Sequence, residues 1–126
     1  MAASGLITLT TDFGLSDAYV GALKGALLSG NSAATLVDIT HDVWPQAIEQ
    51  GAFLLSLAAP HFPPGTVHLA VVDPGVSTER RALAIQTASA FFVGPDNGVL
   101  SCALGEWPQA GEVSLPEGVA AVELSN

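Results

Sequence analysis

Charged residues are scarce in this chain, and positive charge is nearly absent. Asp, Glu, Lys and Arg make up only 12% of its residues, about half of the share in most soluble domains. Lys24, Arg80 and Arg81 are its only strong bases, and the formal net charge is -9. Because phosphate backbones and anionic membrane surfaces are held by many Lys and Arg side chains, we predict neither nucleic acid nor a membrane as a partner.

Cysteine and long apolar runs are also lacking. Cys102 is the only cysteine, so no disulfide can form within the chain, as is usual in a reducing cytoplasm. No apolar run reaches the ~20 residues that span a bilayer. The first residues also lack the basic stretch and apolar core of a signal peptide. These features predict a cytoplasmic protein.

Apolar residues are plentiful, at 49% of the chain. This share argues against disorder, because disordered chains are polar and rich in charge. A chain of 126 residues can bury enough surface for one core, so we expect a single domain over residues 1–126. The shortage of charge also predicts an exposed apolar patch that meets a partner.

Strand and helix signals alternate over the first part of the chain. Short apolar or β-branched runs predict buried strands at residues 6–11, 35–39 and 67–72. Apolar residues at helical spacing predict helices between them, at 17–30 and 45–58. This alternating order is typical of a parallel, doubly wound sheet. We therefore predict an α/β fold, a three-layer α/β/α domain with a largely parallel central sheet.

Local signals predict where the two helices begin. Ser16 or Asp17 is the expected cap of the first helix, and Pro45 suits the first turn of the second. Gly21 and Gly25 lie on one face of the first helix, where each glycine costs about 1 kcal/mol. We expect close packing at that face to compensate.

The last part of the chain is richer in strand signals. Residues 82–86 and 91–93 predict a strand pair joined by a short turn. Residues 99–104 favour one or two helical turns, and weaker strand signals lie at 112–115 and 119–124.

Acidic turns follow two of the predicted parallel strands. Asp12 comes after the first strand and Asp73 after the third, and the loop of Asp96 and Asn97 is expected to return nearby. Parallel α/β sheets bind ligands beyond the carboxyl ends of their strands. Asp is also common as a cap or turn former, so it is the repetition at one edge that favours a binding site.

The histidines do not predict a metal site. His41, His61 and His68 lack the spacing of metal ligands, and no second cysteine accompanies Cys102. His68 lies inside an apolar strand and is expected to be structural, whereas His41 lies in a loop and is a weaker candidate for ligand contact. Trp44 is a candidate either for stacking on a base or for simple packing.

Four segments together carry a family resemblance. They are ITLTTDFG at 7–14, DITH at 38–41, VDPGVSTERR at 72–81 and GPDNG at 94–98. In sequence, order and spacing they resemble the S-adenosylmethionine (SAM) hydrolases, or SAM hydroxide adenosyltransferases, which are relatives of the fluorinase and chlorinase. The match covers nearly the whole chain, and Ser77 is a departure where the family usually has glycine.

The resemblance implies a reaction. In that family, water attacks C5′ of the ribose of SAM and gives adenosine and L-methionine, whereas the halogenases use halide. Asp73 and Arg80 would be two members of an Asp-Arg-His group that places the water. The halogenases carry an uncharged pattern around the Asp73 position, so the pair favours water as the nucleophile. No cofactor is implied, since SAM is the substrate.

The resemblance also implies how substrate is held. Asp12 would bind the ribose hydroxyls of SAM or adenosine. Gln46 and Val76 correspond to positions that line the ribose pocket. Asn97 lies in a loop close to the site.

Part of the family pattern has no counterpart in these residues. The family's histidine lies in a later segment resembling Phe-His-Gly-Arg-Asp, which is followed by a carboxyl-terminal β-barrel. Family members are homotrimers in which adenine lies between one subunit's amino-terminal domain and a neighbour's barrel. We therefore expect residues 1–126 to be the amino-terminal domain without the barrel, and to be inactive alone.

Two other readings of the acidic turns stay open. A metal-dependent nucleotidase of the stationary-phase survival type also begins with a strand that ends in an acidic turn, but it normally shows adjacent aspartates. Here Asp12 is followed by Phe13. A non-catalytic adenosine-binding or assembly module is the second alternative. Stabilisation by adenosine, by a divalent metal or by neither would separate the three.

Overall fold

The computed structural model describes residues 2–73, 81–105 and 119–124. Six strands in these residues form one sheet: β1 (Leu6–Thr11), β2 (Thr35–Thr40), β3 (Thr66–Val71), β4 (Ala82–Gln86), β5 (Ala90–Pro95) and β6 (Ala120–Leu124). The helices are α1 (Tyr19–Gly30) and α2 (Ile48–Ala58), with 3-10 turns at Ala59–His61 and Cys102–Leu104. None of the helices in the described residues is long and apolar enough to cross a membrane.

The sheet is mixed, with the order β2-β1-β3-β5-β4-β6. β1 is parallel to both β2 and β3, and β5 is parallel to β3. β4 runs antiparallel to β5 and to β6. The predicted parallel order of the first three strands and the predicted β4–β5 pair are therefore confirmed. The weaker strand predicted at 112–115 lies outside the described residues.

The strand order places the two helices on opposite faces of the sheet. The chain moves from β1 to β2 in one direction and then back across β1 to β3, and right-handed crossovers put the connecting helices on opposite sides. Lys24 of α1 pairs with Asp38 of β2 on one face. On the other face, Leu55 of α2 belongs to the same core cluster as Val72 and Phe92. This confirms the α/β prediction, with helices above and below the sheet.

The main core lies between α2 and the sheet. It is built from small and branched apolar side chains together with one ring, that of Phe92. Gly94 of β5 lets the strands approach, because a Cβ built there would lie 2.6 Å from the Ala70 carbonyl oxygen. Real Cβ atoms are not found so close to a carbonyl, so a larger residue at this position would push β5 away from β3.

Both helices begin differently from the prediction. The residue before α1 is Ala18, which makes no side-chain cap. Neither Ser16 nor Asp17 is the cap, since the Asp17 carboxylate accepts the N–H of Ala18 instead. α2 begins three residues after Pro45, because Gln46 has φ +64° and cannot continue a right-handed helix.

The expected close packing at two glycines of α1 was also wrong. A Cβ built at Gly21 or Gly25 would meet no atom of the described residues within 4 Å, and both positions are exposed. Val20 is the one buried residue of α1. The helix therefore covers its side of the sheet loosely.

Candidate functional site

The predicted acidic edge exists at the point where the strand order reverses. Thr11 of β1 is paired with Val71 of β3, so the chain leaves neighbouring parallel strands at the same level. Asp12 follows Thr11 directly, Asp73 lies two residues after Val71, and both aspartates are partly buried. A crevice forms at such a reversal because the loops after the two strands diverge to opposite faces. The structure thus brings two predicted site residues to one edge.

Asp12 is held by the loop that follows β2. Its Oδ2 accepts a hydrogen bond of 2.9 Å from the backbone N–H of Gln46. The φ of +64° at Gln46 is uncommon outside glycine and persists where surrounding contacts impose it. The sequence resemblance placed Gln46 in the lining of the ribose pocket, which stays a prediction, and the contact that the structure shows at this residue is made by its backbone.

His41 joins the loop that follows β2 to the turn that follows β1. Its ring is buried, with Nδ1 2.7 Å from Thr11 Oγ1 and Nε2 2.7 Å from Asp38 Oδ1. Lys24 Nζ lies 2.9 Å from the other oxygen of Asp38. The hydrogen bond from His41 holds the pKa of Asp38 below its usual range, and Lys24 adds to this against the effect of partial burial.

Backbone hydrogen bonds repeat the connection made by the His41 ring. The N–H of Gly14 donates to the His41 carbonyl at 2.7 Å, and the N–H of Val43 donates to the Thr11 carbonyl at 3.3 Å. Thr11 Oγ1 also accepts from the N–H of Phe13 at 3.2 Å. The turn that carries Asp12 is therefore fixed on both sides.

Asn97 anchors the neighbouring strand end. Its Nδ2 donates to the Val72 carbonyl at 2.9 Å, and its Oδ1 accepts from the Val99 N–H at 3.1 Å. The side chain is almost fully buried. It thus fixes the residue immediately before Asp73, and its predicted contact with substrate stays a prediction.

His68 has a different environment from His41. Nδ1 lies 2.7 Å from Thr8 Oγ1, and the ring stacks on Phe92 at a centroid distance of 5.0 Å. Its Nε2 is buried and has no hydrogen-bond partner among the described residues. Burial lowers the pKa of His68 to about 4, so the ring is neutral at pH 7. The side chain is a core residue, as its place in an apolar strand predicted.

Comparison with known proteins gives the chain a family. The SAM hydroxide adenosyltransferase N-terminal domain matches residues 7–125. The chain belongs to this family. The four motifs on which the resemblance was based all lie within the matched residues.

Three similar proteins of this family or of its fold are longer than the chain. The (R)-S-adenosyl-L-methionine hydrolase of Methanocaldococcus jannaschii is 48% identical over 101 residues, covering 76% of this chain and 38% of that protein. The fluorinase of Nocardia brasiliensis is 29% identical over 137 residues, covering 89% and 46%. The crystal structure of an uncharacterized conserved protein from Thermotoga maritima has a TM-score of 0.81 at 39% identity, covering 96% and 43%. The chain spans about half or less of each.

Two of the predicted site residues of this SAM hydroxide adenosyltransferase domain cannot be placed. Val76 and Arg80 lie outside the described residues. Their predicted roles, lining the ribose pocket and fixing Asp73, stay predictions.

An ion pair that the sequence reasoning missed lies at the same edge of the domain. Arg81 donates to Asp96 Oδ2 through Nε at 3.1 Å and Nη2 at 2.5 Å, and the Asp96 N–H donates to the Arg81 carbonyl at 2.7 Å. Asp96 is buried, whereas Arg81 is partly exposed. The bond joins the start of β4 to the end of β5. The only sequence signal was an arginine in one family motif and an aspartate in another.

Metal chemistry has no support among the described residues. No group of three or more His, Cys, Asp or Glu side chains in residues 2–73, 81–105 and 119–124 could hold a metal ion. Together with membership of the SAM hydroxide adenosyltransferase family, this leaves the metal-dependent nucleotidase without a supporting observation.

A cavity of about 430 Å³ lies at the opposite edge of the domain, near the start of β5. Its described lining is rich in alanine and includes Ser56, Thr87 and Phe92, and none of these described residues has a charged side chain. Although this cavity is roomy, its described lining offers no ionisable group to a reaction. The carboxylates, the buried histidine and the family motifs all point to the Asp12 edge, which we take as the candidate site.

Proposed function

We propose that the protein to which this chain belongs hydrolyses SAM to adenosine and L-methionine. One observation carries the proposal: Asp12, oriented by the Gln46 N–H, leaves the sheet beside Asp73 at the reversal of strand order. The similarity to a (R)-S-adenosyl-L-methionine hydrolase supports it. A reducing cytoplasm, favoured by the lone Cys102, is the proposed location.

In this proposal the Asp12 carboxylate binds the ribose hydroxyls. A carboxylate accepts several hydrogen bonds, and those from neutral hydroxyls to an ionised oxygen are short and strong. The Gln46 N–H fixes one oxygen at 2.9 Å, which turns the carboxylate toward a defined direction before substrate arrives. Val76 would line the same pocket, and Asn97 would hold the edge beside it through the Val72 carbonyl.

Asp73 is the proposed group that places the attacking water. The water oxygen forms a bond to C5′, the C5′–S bond breaks with its electron pair going to sulfur, and the attached water then loses one proton to solvent, which leaves the 5′-hydroxyl of adenosine. Because the leaving group departs as a neutral thioether, it needs no general acid. Water has a pKa of about 15.7 and a carboxylate about 4, so Asp73 orients the water more than it deprotonates it. Arg80 would fix the Asp73 carboxylate by paired hydrogen bonds.

We further propose that the active protein is a homotrimer whose later segments complete the site. The loops around Asp12 and the start of α1 present large exposed apolar side chains, of which Leu15, Tyr19 and Trp44 are each more than 60% exposed. Such a group of side chains favours burial against a partner. Sedimentation of the 126-residue chain should show association at high micromolar concentration, and a monomer there would count against assembly through this domain.

Adenosine binding tests the ribose assignment. In the full-length protein, Asp12→Ala should raise the dissociation constant of adenosine at least tenfold, about 1.4 kcal/mol, as measured by isothermal titration calorimetry. Asp17→Ala is the matched control, because Asp17 lies on the same loop and bonds only the adjacent N–H of Ala18 among the contacts described. An unchanged affinity in Asp12→Ala would remove Asp12 from the site.

Turnover tests the proposed division of the site between this domain and later segments. The 126-residue chain should release no adenosine from SAM at a useful rate, whereas the full-length Methanocaldococcus jannaschii relative should do so. An open site leaves the water and substrate poorly oriented, and groups that act as a unit fail together. Comparable rates of adenosine release from the two proteins, followed by chromatography, would show that the proposed catalytic group is wrongly assigned.

A further inference from the structure

His41 lies where the two loops of the candidate site meet, and its hydrogen bonds have a defined direction. An ionised Asp38 can only accept, so the 2.7 Å contact requires that Nε2 of His41 carries a hydrogen. In the neutral ring, Nδ1 is then an acceptor for the Thr11 hydroxyl. That hydroxyl oxygen in turn accepts the N–H of Phe13. A continuous series of hydrogen bonds therefore connects the turn that carries Asp12 to Asp38.

The residues that these hydrogen bonds fix lie on both sides of Asp12. Thr11 precedes Asp12, and its hydroxyl bonds the His41 ring. Phe13 follows Asp12, and its N–H donates to the same Thr11 hydroxyl oxygen. The His41 carbonyl holds Gly14, whose φ of +71° closes the turn. Asp12 therefore has little freedom to swing away from the Gln46 N–H.

From this arrangement we infer that His41 is a positioning residue for Asp12, which aims that carboxylate at the ribose hydroxyls. The inference rests on the proposed function, since it assumes that Asp12 binds ribose. His41 acts through Thr11 and does not itself touch substrate.

A second buried histidine–threonine pair on β1 shows that such a pair can form without a carboxylate in the position of Asp38. His68 and Thr8 make the same 2.7 Å contact in the core, with no carboxylate on the second ring nitrogen among the described residues. At His41 the carboxylate selects one tautomer and fixes the ring plane, as the outer partners of histidine ligands do at metal sites. The added partner gives the loop a preferred orientation that packing alone would not require.

The experiment compares adenosine with 2′,3′-dideoxyadenosine, which lacks the ribose hydroxyls. The full-length wild-type protein should bind adenosine at least about tenfold more tightly, because Asp12 loses its partners in the dideoxy compound. In His41→Gln this ratio should fall to near one, since the longer amide keeps the Asp38 side of the ring but not the Thr11 side. His41→Asn places an amide oxygen near the Nδ1 position and should recover most of the ratio.

His68→Gln is the matched control, because it makes the same substitution at the other buried histidine. It should lower the melting temperature and leave the adenosine-to-dideoxyadenosine ratio unchanged. A ratio that falls equally in His68→Gln would overturn the inference, because general loosening would then explain the effect.

The two failures can be told apart. A wild-type ratio near one would overturn the ribose role of Asp12 and the inference with it. A wild-type ratio of tenfold or more that persists in His41→Gln would overturn the inference alone and leave the proposed function standing.

Discussion

The two buried histidines of this chain share one bond and differ in the other. Each Nδ1 lies 2.7 Å from a threonine hydroxyl of β1, Thr11 for His41 and Thr8 for His68. The two threonines are three residues apart, so their side chains point to opposite faces of the sheet. His41 Nε2 meets the carboxylate of Asp38, whereas His68 Nε2 has no partner among the described residues.

The difference shows that burial alone does not mark a histidine as part of a site. His68 packs against Phe62 and Phe92, and its pKa falls to about 4 because burial disfavours the charged form. It behaves as a flat apolar side chain with one hydrogen bond. His41 is equally buried, but an ionised partner fixes its tautomer and connects two loops. The partner of the second ring nitrogen distinguishes the two roles.

The largest expected effect that tests this comparison is the pH dependence of stability caused by His68. Its folded pKa of about 4 lies below the ordinary value of 6.5. Between these values the unfolded chain binds a proton that the folded chain does not, so the free energy of unfolding falls as the pH falls from 6.5 to 4. The total loss is on the order of 3 kcal/mol, and it is absent above pH 6.5. Urea unfolding at intervals between pH 7 and pH 4 measures it.

The control for this prediction is the double variant Thr8→Val/His68→Leu, which removes both members of the pair. Other groups also titrate in this range, so the informative quantity is the difference in slope between wild type and variant. Equal slopes would mean that His68 takes up its proton in the folded state as easily as in water, and the contrast with His41 would be lost.

The second expected effect concerns the Thr8–His68 bond. Thr8→Val alone leaves His68 Nδ1 buried without a partner, and this should cost about 2 kcal/mol of unfolding free energy. Adding His68→Leu removes the unpaired nitrogen as well, and the double variant should regain most of the loss because both sites are then apolar. A double variant less stable than Thr8→Val, by chemical unfolding at pH 7, would show that the His68 ring is needed for shape.

The third expected effect is on the other histidine's partner. Asp38→Asn keeps a neutral acceptor for His41 but removes the charge, and Asp38 is 42% exposed. We expect a loss of about 1 kcal/mol at pH 7, less than for a fully buried charged pair. Since the pKa of Asp38 is lowered on folding, this contribution is present above its ordinary value of 3.8 and disappears as the pH falls through the lower folded value. The exposed neighbour Asp42, changed to Asn, is the control; an equal loss there would leave Asp38 without a special role.

Much of the fold could be predicted because its signals are local and repeated. Apolar runs of strand length separated by helical spacing predicted the parallel order of β1, β2 and β3, and the positions of Asp12 and Asp73 after two of these strands predicted that both lie at one edge. Residues that follow parallel strands must leave at the same edge, whatever the details of the loops. That geometric necessity explains why the shared edge of Asp12 and Asp73 was predictable.

The contacts within the site were not predictable, because they depend on how loops from different elements approach one another. Nothing local in the sequence indicates that Gln46 takes φ +64° and offers its N–H to Asp12. The pairing of Arg81 with Asp96 likewise needs the β4–β5 register, which only the folded sheet defines. The spacing of Asp38 and His41 was visible, yet it has meaning only once Thr11 is placed against the ring.

The smallest expected effect is that of Lys24, which bonds the other oxygen of Asp38 at 2.9 Å. Both side chains are about a third or more exposed, at 34% and 42%, and such pairs contribute at most about 1 kcal/mol. Lys24→Ala should therefore lower the unfolding free energy by less than Asp38→Asn does, and most of that loss should vanish in 1 M salt, where the screening length is about 3 Å. Lys24→Met keeps the aliphatic stem and separates the charge from the packing of α1. In both variants His41 still bonds Asp38, so the adenosine-to-dideoxyadenosine ratio should stay at its wild-type value. If calorimetry instead shows the ratio falling in Lys24→Met, then Lys24, and not the buried ring of His41, orients Asp38. The bond between His41 and Asp38 would then not be enough to distinguish His41 from His68.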